Sequence, residues 1–184
     1  MARPNWTPPT QPQLFAASEI AGLVRKALRT PQGVPHERAI LTGSLLAGSF
    51  LLRALDVPLA GLAPGSTVLS EEANEKGPLL VQTLGTGLAV LKVPIQMGWL
   101  RGAREPGEAA RVTRTEAQTF VEREILVASA RHALTMEQTA HACALAVAQM
   151  IQMSANELDP HRSFELATWG FVAGTKTVPG GIAG

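Results

Sequence analysis

Residues 39–55, AILTGSLLAGSFLLRAL, constrain this chain more than any other stretch. Apolar or small side chains cover every side of a helix drawn through them, and Arg53 is the lone charge. A helix apolar all round must be buried all round, in protein or in lipid. The uncharged part, 39–52, is 14 residues long, short of the ~20 that span a bilayer core of about 30 Å. Thr42, Ser44 and Ser49 within it suit a protein core, where a hydroxyl can donate to the carbonyl four residues back. The expectation is a central helix over about 36–57 with other helices around it, and membrane association is not expected. Two small-residue pairs, Gly43 with Ala47 and Ser44 with Gly48, would let a neighbouring helix backbone approach closely.

What surrounds that helix must be built from few kinds of residue. Hydrophobic residues make up 46% of the chain but aromatics only 4%, with no Tyr, so the core has to be mainly Ala, Leu, Val and Ile. Such a composition favours helices. The expected fold class is therefore mainly α: a single-domain helical bundle over 14–173. It lies between an extended Pro-rich arm, 1–13, and an extended Gly-rich tail, 174–184. A net charge of +1 supplies no global field to attract nucleic acid. The lone Cys143 excludes an internal disulfide and reads as a small buried apolar residue. No apolar signal-like run opens the chain, so a cytoplasmic location is expected. The glycosylation match Asn5-Trp6-Thr7 has no meaning there.

Local signals place the other helices. Ala17, Ile20, Ala21, Val24 and Leu28 make an i, i+3, i+4 stripe, giving a helix over 14–28 closed by Pro31 and Gly33. Ser70 is a plausible N-cap for a short helix within 66–76. Gly77-Pro78 then breaks the chain. The run that follows reads either as a helix over 78–93 or as a hairpin, LLVQTL-GTG-LAVLKV. A second pairing, 95–100 with 110–114, also fits, so a small β-hairpin within 79–114 stays open. Thr115 with Gln118, and Thr135 with Gln138, match the capping-box spacing. They predict two antiparallel helices, ending near His132 and Leu158. Asp159-Pro160 starts a last helix that ends near Phe171.

Motifs that would carry chemistry are weak. Gly85-Thr86-Gly87 lacks the third glycine of a dinucleotide loop, since Val90 stands there, although Glu105 lies near the spacing of a ribose contact. GFVAGTKT at 170–177 departs from a phosphate loop in its spacing, with a helix before it and a tail after it. No cofactor and no metal are expected. Glu137 and His141 lie four apart, on one helix face. His132, Glu122 or Glu124 could approach them across the short turn, but they do not complete a ligand or acid–base set.

Trp99, Arg101, Arg104, Arg111 and Arg114 fall in the irregular stretch 94–114. Trp and Arg are the residue types enriched at protein interface hot spots, while Glu105 and Glu108 offer local neutralisation. The reading is a non-catalytic interaction or assembly protein. It self-associates or docks onto protein subunits through its terminal arms and the 94–114 loop, and a homo-oligomer is expected. The alternative is a small-ligand-binding protein or enzyme with an inter-helical site around Glu137 and His141.

Overall fold

The computed structural model describes residues 5–96 and 102–180. Seven α-helical segments follow in order: α1 (Gln11–Ala27), α2 (His36–Ala54), α3 (Glu71–Val90), α4 (Arg114–Ala117), α5 (Arg123–Arg131), α6 (Met136–Ser154) and α7 (Pro160–Thr175). A π-helical segment, Gln118–Glu122, joins α4 to α5 in one continuous rod, and a 3-10 turn, Glu108–Ala110, precedes it. The central helix is α2. It is buried without interruption from Ala39 to Leu52, with α6 and α7 packed along it and α1 and α3 packed on α6. Ile40, Leu46 and Phe50 are fully enclosed. Among the described residues, no helix is long and apolar enough to cross a membrane.

Small residues set how closely these helices meet. Ser44 and Gly48 of α2 face Gly170 and Gly174 of α7, so the two small-residue pairs interlock backbone to backbone. A Cβ added at Gly48 would lie 2.5 Å from the Phe171 carbonyl oxygen and 2.8 Å from the Gly174 Cα. Gly43 faces α6 instead, where a Cβ would meet Met150 Cε at 2.8 Å and Val147 Cγ2 at 2.9 Å. The hydroxyls of α2 are handled in three ways. Ser44 donates to the Ile40 carbonyl at 2.9 Å, as the local rule predicts. Ser49 accepts from Arg114, and Thr42 Oγ1 is buried without a partner.

The hairpin expectation is overturned. Residues 71–90 form one helix that runs straight through Gly77-Pro78 and Gly85-Thr86-Gly87. Ser70 caps it, accepting from the Ala73 amide at 3.2 Å. An internal Pro costs about 3 kcal/mol and each Gly about 1 kcal/mol. Leu80, Leu84 and Leu88 recur every fourth residue and are 0–1% exposed; each buried leucine contributes roughly 1.5–3 kcal/mol. Burial on α6 therefore wins over local propensity. Gly87 serves that packing, since a Cβ there would meet Ala148 Cβ at 3.0 Å. The second pairing is not found either: 110–113 forms no strand, and 97–100 lies outside the described residues.

Five boundaries also move: α2 stops at Ala54 rather than near 57, α6 stops at Ser154 rather than near Leu158, and three others shift as follows. The first helix begins at Gln11, with Pro12 in its first turn, where a missing N–H costs nothing. The rod after the long loop is capped by Thr113 and Glu116, not by Thr115 and Gln118: Thr113 Oγ1 accepts from the Glu116 amide at 3.2 Å, and Glu116 accepts from the Thr113 amide at 2.7 Å. The last helix runs to Thr175. The caps at Thr135 with Gln138, and at Asp159, are formed as expected. Beyond α7, residues 176–178 run beside the loop before α3. Val68 N donates to Lys176 O and Val178 N to Ser66 O, both at 2.8 Å.

Glycine substitutions test this packing. Gly48→Ala should lower the unfolding free energy in urea by about 3 kcal/mol, the scale of core overpacking. Gly22→Ala in α1, where a Cβ meets nothing within 4 Å, should raise it by up to ~1 kcal/mol through helix propensity. Equal effects from the two would contradict the close approach.

Candidate functional site

Of the residues expected to face a partner, Arg104, Arg111 and Arg114 are described. Trp99 and Arg101 lie outside the described residues. Arg111 is exposed and pairs with Glu105 at 3.8 Å, and the Arg104 amide donates to Glu165 O at 3.1 Å. Arg114 is interior, 7% exposed. Its guanidinium donates to the Thr177 carbonyl and to Ser49 Oγ, so it ties the tail to α2. Burial is the main cause that lowers its pKa to about 10; the charge of Arg53 adds to this and Glu122 opposes it. It is still a cation at neutral pH. Beside it Arg53 pairs with Glu122 at 2.6 Å, and Gln118 grips Gly180 from both sides, at 3.0 and 3.3 Å.

His132 and Glu122 do not join Glu137 and His141. His132 Nε2 lies 3.2 Å from Glu19 on α1, and Glu122 is held by Arg53. Among the described residues, no group of three His, Cys, Asp or Glu is placed to hold a metal ion. Cys143 is fully buried and burial pushes its thiol pKa up, as its reading as a core residue requires.

Glu137 and His141 do share a cavity, of about 450 Å³, at the start of α6. Its other walls are the arm (Asn5, Thr7, Pro8, Pro9), the start of α1 (Thr10, Gln13) and the cap residues Thr135 and Gln138. Spacing on α6 explains the placement. Gln138, His141, Leu145 and Gln149 recur at three and four residues, on one helix face. The arm crosses that face. On its other side lies an apolar groove of about 320 Å³ lined by Trp6, Pro8, Pro9, Leu14, Val90, Leu91 and Leu145.

A hydrogen-bonded hub fixes the histidine. Trp6 Nε1 donates to Thr83 Oγ1 at 2.9 Å, Thr83 Oγ1 lies 2.9 Å from the Leu79 carbonyl, and His141 Nδ1 lies 2.8 Å from the same oxygen. An indole N–H only donates, and a hydroxyl has one proton and two lone pairs. One assignment puts a proton in all three contacts: Thr83 donates to Leu79 O and accepts from both Trp6 and His141 Nδ1–H. Nε2 is then left with a free lone pair. Burial lowers the His141 pKa below its ordinary 6.5 and outweighs Glu137, which acts the other way, so the ring is neutral at pH 7. Glu137 itself has Lys76 at 3.6 Å, which also pairs with Glu72 at 3.4 Å.

Sequence reasoning found Glu137 and His141 but missed Trp6 and Thr83. The usable signal was a tryptophan in a proline-rich arm, since a Trp N–H that is partly buried needs an acceptor. No family model matches the chain, and no curated protein or solved structure matches it either.

The hub has two measurable consequences. Side-chain ¹⁵N spectra of His141 should show a protonated Nδ1 and an unprotonated Nε2 at pH 7; the reverse tautomer would contradict the hub. Because the folded pKa is depressed, the unfolded chain takes up this proton first as pH falls. His141 therefore contributes stability above about 6.5 that is lost as pH falls through the lower folded value. The wild type should lose more stability than His141→Gln between neutral and mildly acid pH, and parallel profiles would count against it.

Proposed function

We propose that this chain is an interaction protein that self-associates by exchanging its N-terminal arm with a second copy. The observation that carries the reading is the arm itself. Residues 5–10 lie in a groove between α1 and α3 over α6, held by the Trp6–Thr83 bond and by Pro8 and Pro9 packed against groove walls. A proline-rich segment loses little conformational freedom when it docks in extended form. Residues 5–9 make these contacts, and Thr10 at the cap of α1 connects them to the helix. The same contacts made between two copies cost little more than those made within one, which is the basis of segment exchange.

Exchange would bring two copies together at the mouth of the groove. Leu14, Phe15 and Val90 are there or next to it, 48%, 59% and 76% exposed, and their burial between copies would favour the exchanged form. Short linkers give the closed form a high effective concentration of its own arm, so the dimer should grow with protein concentration.

Light scattering after size exclusion tests this. The full chain should show a dimer fraction that rises with concentration, and both Trp6→Ala and removal of residues 1–9 should abolish it while leaving the helical signal intact. A monomer at every concentration, or a dimer indifferent to both changes, would overturn the proposal.

A further inference from the structure

We propose that the cavity between the arm and the start of α6 binds a small organic cation carrying N–H donors, with the Glu137 carboxylate as its counter-charge and His141 Nε2 as a second acceptor. A volume of about 450 Å³ falls in the range of small-molecule sites, roughly 300–1,000 Å³. The class of ligand follows from which polar atoms are still available. Gln13 Oε1 is occupied by the Thr10 amide and hydroxyl, at 2.9 and 3.0 Å. Gln138 Oε1 is occupied by the Thr135 amide at 2.9 Å. Of the acceptors that remain, the His141 Nε2 lone pair and the Glu137 carboxylate lie one helical turn apart on the same face of α6, and the Asn5 and Thr7 side chains of the arm line the wall opposite.

Charge points the same way. Among the described residues, neither Lys nor Arg lines the cavity, and Lys76 reaches Glu137 from α3 while shared with Glu72. The starts of α1 and α6 both border the cavity, and helix N-termini favour anions. Here the Gln138 amide is already capped by Thr135 Oγ1 at 3.2 Å, so a full carboxylate charge decides the sign. An N–H donor is needed because His141 is held as an acceptor by Thr83. A quaternary cation would satisfy Glu137 alone. The site is independent of arm exchange, because the arm walls the cavity whichever copy supplies it.

The test is titration of the full chain with 1,4-diaminobutane, followed by calorimetry and by the His141 ¹⁵N signals. Two control titrants are used: its fully N-methylated analogue, and butanedioate. The diamine should bind and shift the Nε2 resonance, and the methylated analogue should bind more weakly without that shift. Butanedioate should not bind. Glu137→Gln should weaken diamine binding at least tenfold, and His141→Gln should bring the two cations to equal affinity, both variants keeping the wild-type helical signal at neutral pH. Absence of any diamine response, binding of butanedioate in its place, or undiminished binding by Glu137→Gln would overturn the proposal. A monomeric protein that still binds the diamine would leave this site standing while removing arm exchange.

Discussion

Backbone contact between α2 and α7 is the constraint on which the rest of this structure depends. Ser44 and Gly48 meet Gly170 and Gly174 with no room for a further carbon. That proximity lets a short helix of Ala, Leu and small polar residues be enclosed with few aromatics. Dispersion contacts are individually tiny and fall away steeply with distance, so close approach compensates for the lack of large side chains. With α7 on one side, the remaining surface of α2 is closed by α6, whose Val147 and Met150 fill the space beside Gly43.

The demand then passes outward to α6. Ala140, Ala142, Cys143, Ala144, Ala146, Val147 and Ala148 are all fully buried, so α6 too is nearly apolar all round and must be covered on its far side. α1 and α3 supply most of the cover, and the N-terminal arm closes the strip between them. The candidate site is where that cover changes character. At Leu145 the strip is apolar, and one turn earlier, at His141, it becomes polar and opens into the cavity. Core, arm and site are therefore one problem of covering a helix that cannot face water.

Local features were legible in the sequence, and features joining distant residues were not. The caps at Ser70, Thr135 and Asp159 could be read because a cap involves residues two or three apart. Thr113 and Thr115 both satisfy the same spacing. The choice between them is made by Ala117 and Val121 turning inward while Gln118 is left free to hold Gly180. Gly77-Pro78 looked like a break because propensity is local, while the burial that overrides it depends on α6. Arg114 looked like an exterior contact because its partners, Ser49 and Thr177, are 65 and 63 residues away. The hub is the extreme case. Trp6, Thr83 and His141 are separated by 77 and 58 residues, and no periodicity links them.

The enclosure of α2 is the claim from which the packing of α6, the need for the arm and the cavity all follow. Native-state hydrogen exchange measures it directly. The amides of residues 40–52 should exchange only through global unfolding, with the full denaturant dependence of the equilibrium transition. Exchange of those amides through a smaller opening, while the amides of α1 and α3 stay protected, would show that α2 is not the centre of this fold.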